Sequence, residues 1–335
     1  SGLTRKKSRV SINMTFTFVS ALPLLISDSQ TIIWMTIPMI RGLIAPVLSP
    51  FKDDLTFDQP RFNDLAKELL SSGCSGLAPF GTTGEALSIS AEERRLGLDR
   101  LIASGIDPSV VIPGTGLCNL PESVALSQHA VDLGCEGVMV LPPFYIKGIS
   151  DEGLLRFYDE FIDRVNRPNL RIYLYHIPQV SCVALTISLV NTLRQRYPSV
   201  VVGIKDSSGN WDNINSLLAM DDFIVYPGSE LPLVDAMKLG APGCISATAN
   251  LNSTPIAEVI RACEDQNWDD ATRLHQSVVQ TRKVFQNYAP IPAQKALLSE
   301  ITNLESWRNV RPPLVALTKD KTQQLRDALH GVDSD

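Results

Sequence analysis

The sequence predicts an α/β protein, a TIM (β/α)8 barrel with a C-terminal helical appendage. Eight short apolar runs end in polar, Gly- or Pro-marked turns and alternate with amphipathic stretches. The runs recur at about 20–35 residues, the length of one strand plus one helix. An open doubly wound sheet is the competing arrangement. No G-x-G-x-x-G follows the first run to support it.

Residues 1–40 stand apart from that rhythm. Arg5, Lys6, Lys7 and Arg9 precede a mixed apolar stretch from Ile12 to Ile26, the outline of a secretory leader. Asn13, Thr15, Thr17 and Ser20 dilute the stretch, and it is too short to span a bilayer. The favoured reading is an N-terminal extension outside the barrel, ahead of a compact protein beginning near Met35 or Met39. The barrel is expected over 41–250 and the helical region over 251–335.

The apolar runs are Leu43–Leu48, Gly76–Phe80, Val110–Gly114, Gly137–Leu141, Ile172–Tyr175, Val201–Lys205, Phe223–Pro227 and Gly243–Ser246. Helix signals lie between them. Asp58 caps the first helix, Pro60 sits in its first turn, Phe62, Leu65, Ala66 and Leu69 form its buried stripe, and Gly73 ends it. Ser90 with Glu93 reads as a capping box. Pro121 opens the third helix, with a stripe of Val124, Ala125, Gln128 and Val131. Asp151 opens the fourth, with Leu154, Leu155, Tyr158 and Phe161 along one side. After Leu251 the strand rhythm stops. Thr254-Pro255 starts a helix facing inward through Ile256, Val259, Ile260 and Cys263, and further helical stretches run to His330-Gly331.

Composition narrows the function classes. The 335 residues are 44% hydrophobic and 20% charged, with a net charge of -6 and no long basic block. That balance disfavours nucleic acid as a partner. Cys74, Cys118, Cys135, Cys182, Cys244 and Cys263 are scattered, with no Cys-x-x-Cys and no His-x-x-x-His. They read as small core residues of a protein in a reducing compartment, so no structural zinc site is expected and the expected location is cytoplasmic; no membrane partner is expected.

In a barrel, chemistry sits at the C-terminal ends of the strands. The run Val200-Val201-Val202-Gly203-Ile204 ends in Lys205, followed by Asp206-Ser207-Ser208. Alternation puts Val201, Gly203 and Lys205 on one face, so an amine closes an apolar wall. Burial disfavours the charged form of an amine and frees a nucleophile; a lysine snorkelling to solvent or paired with an acid is the bland reading. The preceding run ends in Tyr173-Leu174-Tyr175, placing a phenol next to that amine. The second run ends in Gly81-Thr82-Thr83-Gly84-Glu85, whose hydroxyls and backbone N–H groups, just before a helix, suit a small carboxylate. Alone, each reads equally well as a plain turn or a strand-end tyrosine.

Together these motifs resemble a known family. Gly81-Thr82-Thr83-Gly84-Glu85, Tyr175-His176-Ile177-Pro178, Gly203-Ile204-Lys205-Asp206 and Gly243-Cys244-Ile245-Ser246-Ala247-Thr248-Ala249-Asn250 look like the dihydrodipicolinate synthase / N-acetylneuraminate lyase family, over about residues 40–330. The resemblance implies Schiff-base chemistry on pyruvate or another 2-oxo acid, for which no metal and no organic cofactor is expected. It maps Lys205 to the imine lysine, Tyr175 to the proton shuttle, and Thr82 and Thr83 to hydroxyl relay and carboxylate binding. Gly81 belongs to the same loop, and Gly203 and Ile245 match positions lining the pyruvate pocket. Phe144-Tyr145 resembles an aromatic pair whose second member reaches a neighbouring subunit's site, so a homodimer or homotetramer is implied.

Departures from the pattern bear on substrate. The synthases carry an arginine two residues beyond the Tyr-x-x-Pro proline; here Val180 stands there, and valine makes no charge-assisted bond to a carboxylate. His176, where asparagine is usual, reads as structural, pointing away from Tyr175. Glu230, in Pro227-Gly228-Ser229-Glu230, is a candidate substrate-hydroxyl binder or a solvated loop acid. The leading expectation is a lyase or aldolase for pyruvate or a 2-keto-3-deoxy sugar acid, acting through an imine on Lys205. The alternatives are 4-hydroxy-tetrahydrodipicolinate synthase, a keto-deoxy acid dehydratase, and, in another class, a non-catalytic 2-oxo-acid-binding barrel.

Overall fold

The computed structural model describes residues 39–332, and the expectations for the segment before them lie outside the described residues. Seven of the eight apolar runs form strands: β1 (Gly42–Ala45), β2 (Cys74–Leu77), β3 (Val138–Val140), β4 (Ile172–His176), β5 (Val201–Asp206), β6 (Ile224–Pro227) and β7 (Gly243–Ile245). They pair in parallel in the orders β2-β1-β7 and β3-β4-β5-β6. The remaining run, Val110–Gly114, joins the two groups through single parallel bridges, Leu77 to Val111 and Gly114 to Met139. Pro113 has no N–H to give to a ladder, so this run stays irregular while its carbonyl still accepts from Met139 N at 2.9 Å.

Alternation shows the closure. Ile44, Met139, Tyr173, Tyr175, Ile224, Tyr226 and Ile245 form one cluster inside the barrel. Their strand neighbours Leu43, Val138, Leu174, Ile204, Val225 and Cys244 pack outward against helices. Side chains from six of the seven strands, with Ala78 just after β2 and Ile112 of the irregular run, meet in one inner cluster, which requires the sheet to wrap on itself. With β6 packed beside β7, the eight runs make a TIM barrel.

The helices are α1 (Gln59–Ser71), α2 (Ala91–Ala103), α3 (Leu120–Asp132), α4 (Asp151–Val165), α5 (Pro178–Ser181), α6 (Ile187–Arg196), α7 (Trp211–Leu218), α8 (Leu233–Lys238), α9 (Ala249–Glu264), α10 (Trp268–Phe285), α11 (Pro290–Thr302) and α12 (Lys319–Val332). The α1 signals hold: Asp58 accepts from Arg61 N, Phe62, Leu65, Ala66 and Leu69 are buried, and Gly73 follows with φ +103°. Both halves of the Ser90–Glu93 capping box are made.

The α3 stripe needs correction. Ser123, Val124, Leu126, Ser127 and Ala130 are buried, whereas Ala125 is exposed and Gln128 and Val131 are half-buried. Ser127 Oγ hydrogen-bonds Thr115 Oγ1 at 2.8 Å and Ser123 O at 2.8 Å, and satisfied serines pass where an apolar stripe was expected. α9 breaks at Asn252 (φ -129°, ψ 33°), so its inward-facing part begins close to the expected Thr254-Pro255.

The N-terminal end of the barrel is closed by an Arg171–Glu136 ion pair at 2.7 Å, with Tyr173 OH donating to Glu136 at 2.8 Å. Burial pushes the Tyr173 and Tyr226 phenols above their usual range. The opposite end is left for chemistry.

Another ion pair ties the C-terminal segment to α2. Arg311 grips Glu93 with two guanidinium nitrogens, and those hydrogen bonds, opposed by partial burial, hold the Glu93 carboxyl down at about 2. The folded value lies below the unfolded one. The pair's contribution is therefore complete above the ordinary carboxylate range and is lost as pH falls from about 4.5 towards about 2. Glu93→Gln is expected to cost on the order of 1 kcal/mol near neutral pH, allowing for solvent screening. Urea melts should show the difference from the parent chain shrinking between about pH 5 and pH 3.

Candidate active site

The site begins at the β4–β5 ladder, where Tyr175 and Lys205 are direct partners. The register slips once, between Ile172 and Tyr173, so that Ile172 faces Val201 and Tyr173 faces Gly203. One extra residue, Val202, is accommodated there, as in a β-bulge. This corrects the simple alternation: Val201 belongs to the outer cluster and Val202 to the inner one, while Gly203 and Lys205 keep the inward face. Gly203 is needed for close approach, since a Cβ would lie 2.4 Å from Ile224 O and 3.0 Å from the Tyr173 ring.

Lys205 is 4% exposed and its Nζ lies 4.6 Å from the centre of the Tyr175 ring. Among the described residues no carboxylate and no carbonyl holds it. Asp206, the next residue, is committed elsewhere: one carboxylate oxygen takes Ser208 N at 2.8 Å and the Ser208 hydroxyl, the other takes Asn213 Nδ2. Lys205 opens into a cavity of about 630 Å³, whose walls include Thr82, Thr83, Tyr175 and Val180. A smaller apolar pocket of about 240 Å³, walled by Phe80, Gly81, Met139, Leu141 and Phe144, shares Thr82 and Tyr175 with it.

The Gly81–Glu85 loop reaches across the barrel mouth, and Thr82 Oγ1 meets Tyr175 OH at 3.1 Å. A hydroxyl and a phenol in contact form a path for a proton beside the amine. Loop geometry is fixed from behind. Ser49 Oγ donates to Gly84 O at 2.7 Å, and a Cβ on Gly84 would sit 2.8 Å from Val47 O. Only a short 3-10 turn, Ala86–Ser88, follows, and α2 starts at Ala91, so the loop is not the helix N-terminus expected from the sequence.

Several expected site residues lie elsewhere. Glu230 is fully buried, not a loop acid facing substrate: its carboxylate accepts from the Ser246 and Thr248 hydroxyls. Those two donors satisfy it away from the cavity wall, where Ser229 and Leu231 stand instead. Ile245 is packed in the barrel interior with Tyr175 rather than on that wall, and Gly203 lies level with Tyr173 and Ile224 in the interior. Tyr145 is 81% exposed and touches neither pocket in this chain, though Phe144 does. His176 accepts from Leu185 N at Nδ1 (3.1 Å), and burial, partly offset by Asp206, lowers its pKa, the behaviour of a structural neutral imidazole. Cys118 and Cys182 are exposed, contrary to their expected core role. Burial raises the Cys74 and Cys135 thiols to about 12.

Two groups escaped the sequence reading. Lys295 and Glu85, both with fully buried side chains, form an ion pair behind the loop. Lys295 also donates to Asn309 O at 2.8 Å, and Glu85 accepts from Arg311 N at 3.1 Å. The available signal was a lone lysine among the apolar positions of Ala293, Ala296 and Leu297. The second is Arg282, on the wall of the Lys205 cavity.

A sequence profile of the Dihydrodipicolinate synthetase family matches residues 39–331. The chain belongs to that family. Among curated proteins it is 32% identical over 292 residues to an uncharacterized DapA-like lyase of Chloroflexus aurantiacus, covering 86% of this chain and 95% of the relative. It is equally 32% identical over 292 residues to a 4-hydroxy-tetrahydrodipicolinate synthase of Thermus thermophilus, with the same 86% and 95% coverage. Among solved structures it superposes on YagE, a dihydrodipicolinic acid synthase family prophage protein of E. coli K12 crystallised with pyruvate. That match has a TM-score of 0.81 and 29% identity, over 88% of this chain and 99% of the other. Membership of the family makes this chain an enzyme of the lyase and aldolase type on a TIM barrel. None of the helices among the described residues is long and apolar enough to cross a membrane.

Proposed function

We propose that this enzyme is a Schiff-base-forming lyase or aldolase acting on pyruvate or a 2-keto-3-deoxy sugar acid, with Lys205 as the imine lysine. The observation that carries the reading is the unpaired Lys205 Nζ beside the Tyr175 ring, at the mouth of a roomy cavity. In this mechanism the amine attacks the 2-oxo carbon. Tyr175 and Thr82 pass the proton that lets water leave the carbinolamine, and the imine then takes up the electron pair of the breaking carbon–carbon bond. The Thr82–Thr83 loop holds the carboxylate so that the carbonyl faces Nζ.

Tyr145, too exposed to act within its own subunit, fits a role in the site of a neighbouring one, so the proposed state is a homodimer or homotetramer in the cytoplasm. The barrel as a unit of 41–250 with a helical region of 251–335 remains part of this proposal.

Similarity to the Thermus synthase supports a second reading, condensation of pyruvate with aspartate semialdehyde. Val180, 55% exposed on the cavity wall, favours the first, because at that position, in the segment after β4, it offers the semialdehyde's carboxylate no charge. A panel of keto-deoxy sugar acids, read as pyruvate released or 2-oxo semialdehyde formed, separates cleavage from dehydration. Turnover of at least one panel member should exceed synthase turnover with pyruvate and aspartate semialdehyde by about tenfold or more. Faster synthase turnover would reverse the preference.

A further inference from the structure

Among the described residues, four charged side chains line the Lys205 cavity: Lys205, Asp206, Asp235 and Arg282. Asp206 is saturated by Ser208 and Asn213. Asp235 lies 3.8 Å from Lys238 in an exposed ion pair. The side chain of Arg282, on α10, has no hydrogen bond and no ion pair among the described residues, and its Nε is buried without a partner. A buried donor left unmade costs about 1–3 kcal/mol, so the buried Nε, at a cavity wall, is a place prepared for an acceptor. The planar guanidinium matches a carboxylate with two parallel hydrogen bonds. Gln286, the C-cap residue of α10 and one turn beyond Arg282, lines the same cavity and adds an amide donor.

The cavity of about 630 Å³ is within the range of about 300–1,000 Å³ that holds ligands well beyond three carbons. Val180, on the same cavity, supplies no charge. The cation for the far end of the substrate therefore comes from the C-terminal helices instead of the segment after β4.

We propose that Arg282, assisted by Gln286, binds a carboxylate at the far end of the substrate, so that the keto-deoxy acid of the proposed function is one that carries a carboxylate at each end. The assignment of the two ends rests on the reading of Lys205 as the group that meets the 2-oxo carbon. A carboxylate fits better than a phosphate. One guanidinium balances one negative charge, whereas a dianion would also face Asp206 and Asp235 on the walls. Holding both ends fixes the bond between them over Lys205, which is positioning rather than chemistry.

The test compares binding of 2-oxoadipate with that of 2-oxohexanoate, which has the same chain length and a methyl group in place of the terminal carboxylate. The parent chain should bind the diacid at least about tenfold more tightly. Arg282→Gln should reduce that preference to about threefold or less, and Arg282→Lys should fall between. Equal binding by the parent chain, or a preference that survives Arg282→Gln, overturns the proposal. Equal or tighter binding of a phosphonate-ended analogue overturns the choice of carboxylate. Trapping of pyruvate on Lys205 by borohydride, run in parallel on Arg282→Gln, reports folding and the imine separately. Failed trapping with the preference intact would remove the Lys205 reading and leave the anion subsite standing.

Discussion

Lys205→Ala is expected to lower turnover on any keto-acid substrate by at least about 10⁴-fold while leaving a folded barrel, because no second amine can form the imine. The factor corresponds to about 5.5 kcal/mol of lost transition-state stabilisation. Among the described residues, Lys205 is the one lysine on the walls of either pocket. Truncation removes no ion pair and leaves a void facing an existing cavity, so the melting temperature should change little. Tyr175→Phe provides the contrast. It removes the proton path through Thr82 but leaves the amine, and a loss of about 10²–10⁴-fold is expected with imine formation retained. Equal losses in the two variants, with trapping abolished in both, would mean the phenol is needed for attack as well as for proton transfer.

The second large effect is structural. Lys295→Met is expected to destabilise the chain by about 3–5 kcal/mol, because it leaves the Glu85 carboxylate buried without its cation. For a chain of this size that corresponds to a fall in melting temperature of roughly 10 °C. Glu85→Gln combined with Lys295→Met should recover a large part of the loss, since it removes the stranded charge. Additive losses in the double variant would show that packing of Lys295 over the Phe51 ring, at 4.4 Å, matters more than the pair. The pair has a functional side too. Glu85 adopts a left-handed backbone (φ 53°) two residues beyond Thr83, and its ion pair with Lys295 on α11 anchors the loop that meets Tyr175.

Periodicity made the barrel legible. Runs such as Ile172–Tyr175 alternate cleanly, and helix ends such as Asp58, Ser90 and Gly73 are written in short-range chemistry. What escaped depends on long-range contacts. Val202 enters the β4–β5 ladder as an extra residue, a property of two strands and not of one. Pro113 lies in an apolar run that looks like any other strand until its neighbours ask for an N–H.

The site divides in the same way. Lys205, Tyr175 and the Thr82-Thr83 loop sit at strand ends, where a barrel collects its chemistry, and they converge. Glu230 lies at a strand end as well, yet Ser246 and Thr248, from the segment after the next strand, claim its carboxylate. Arg282 comes from α10, where nothing local distinguishes a cavity-facing arginine from a solvated one.

The most direct measurement is reductive trapping. The enzyme is incubated with pyruvate, reduced with borohydride, digested, and its peptides weighed. The account predicts one new adduct, on the peptide carrying Lys205, and none on the Lys205→Ala variant. A folded enzyme whose Lys205 stays unmodified, or one that carries the adduct on another lysine, would contradict it.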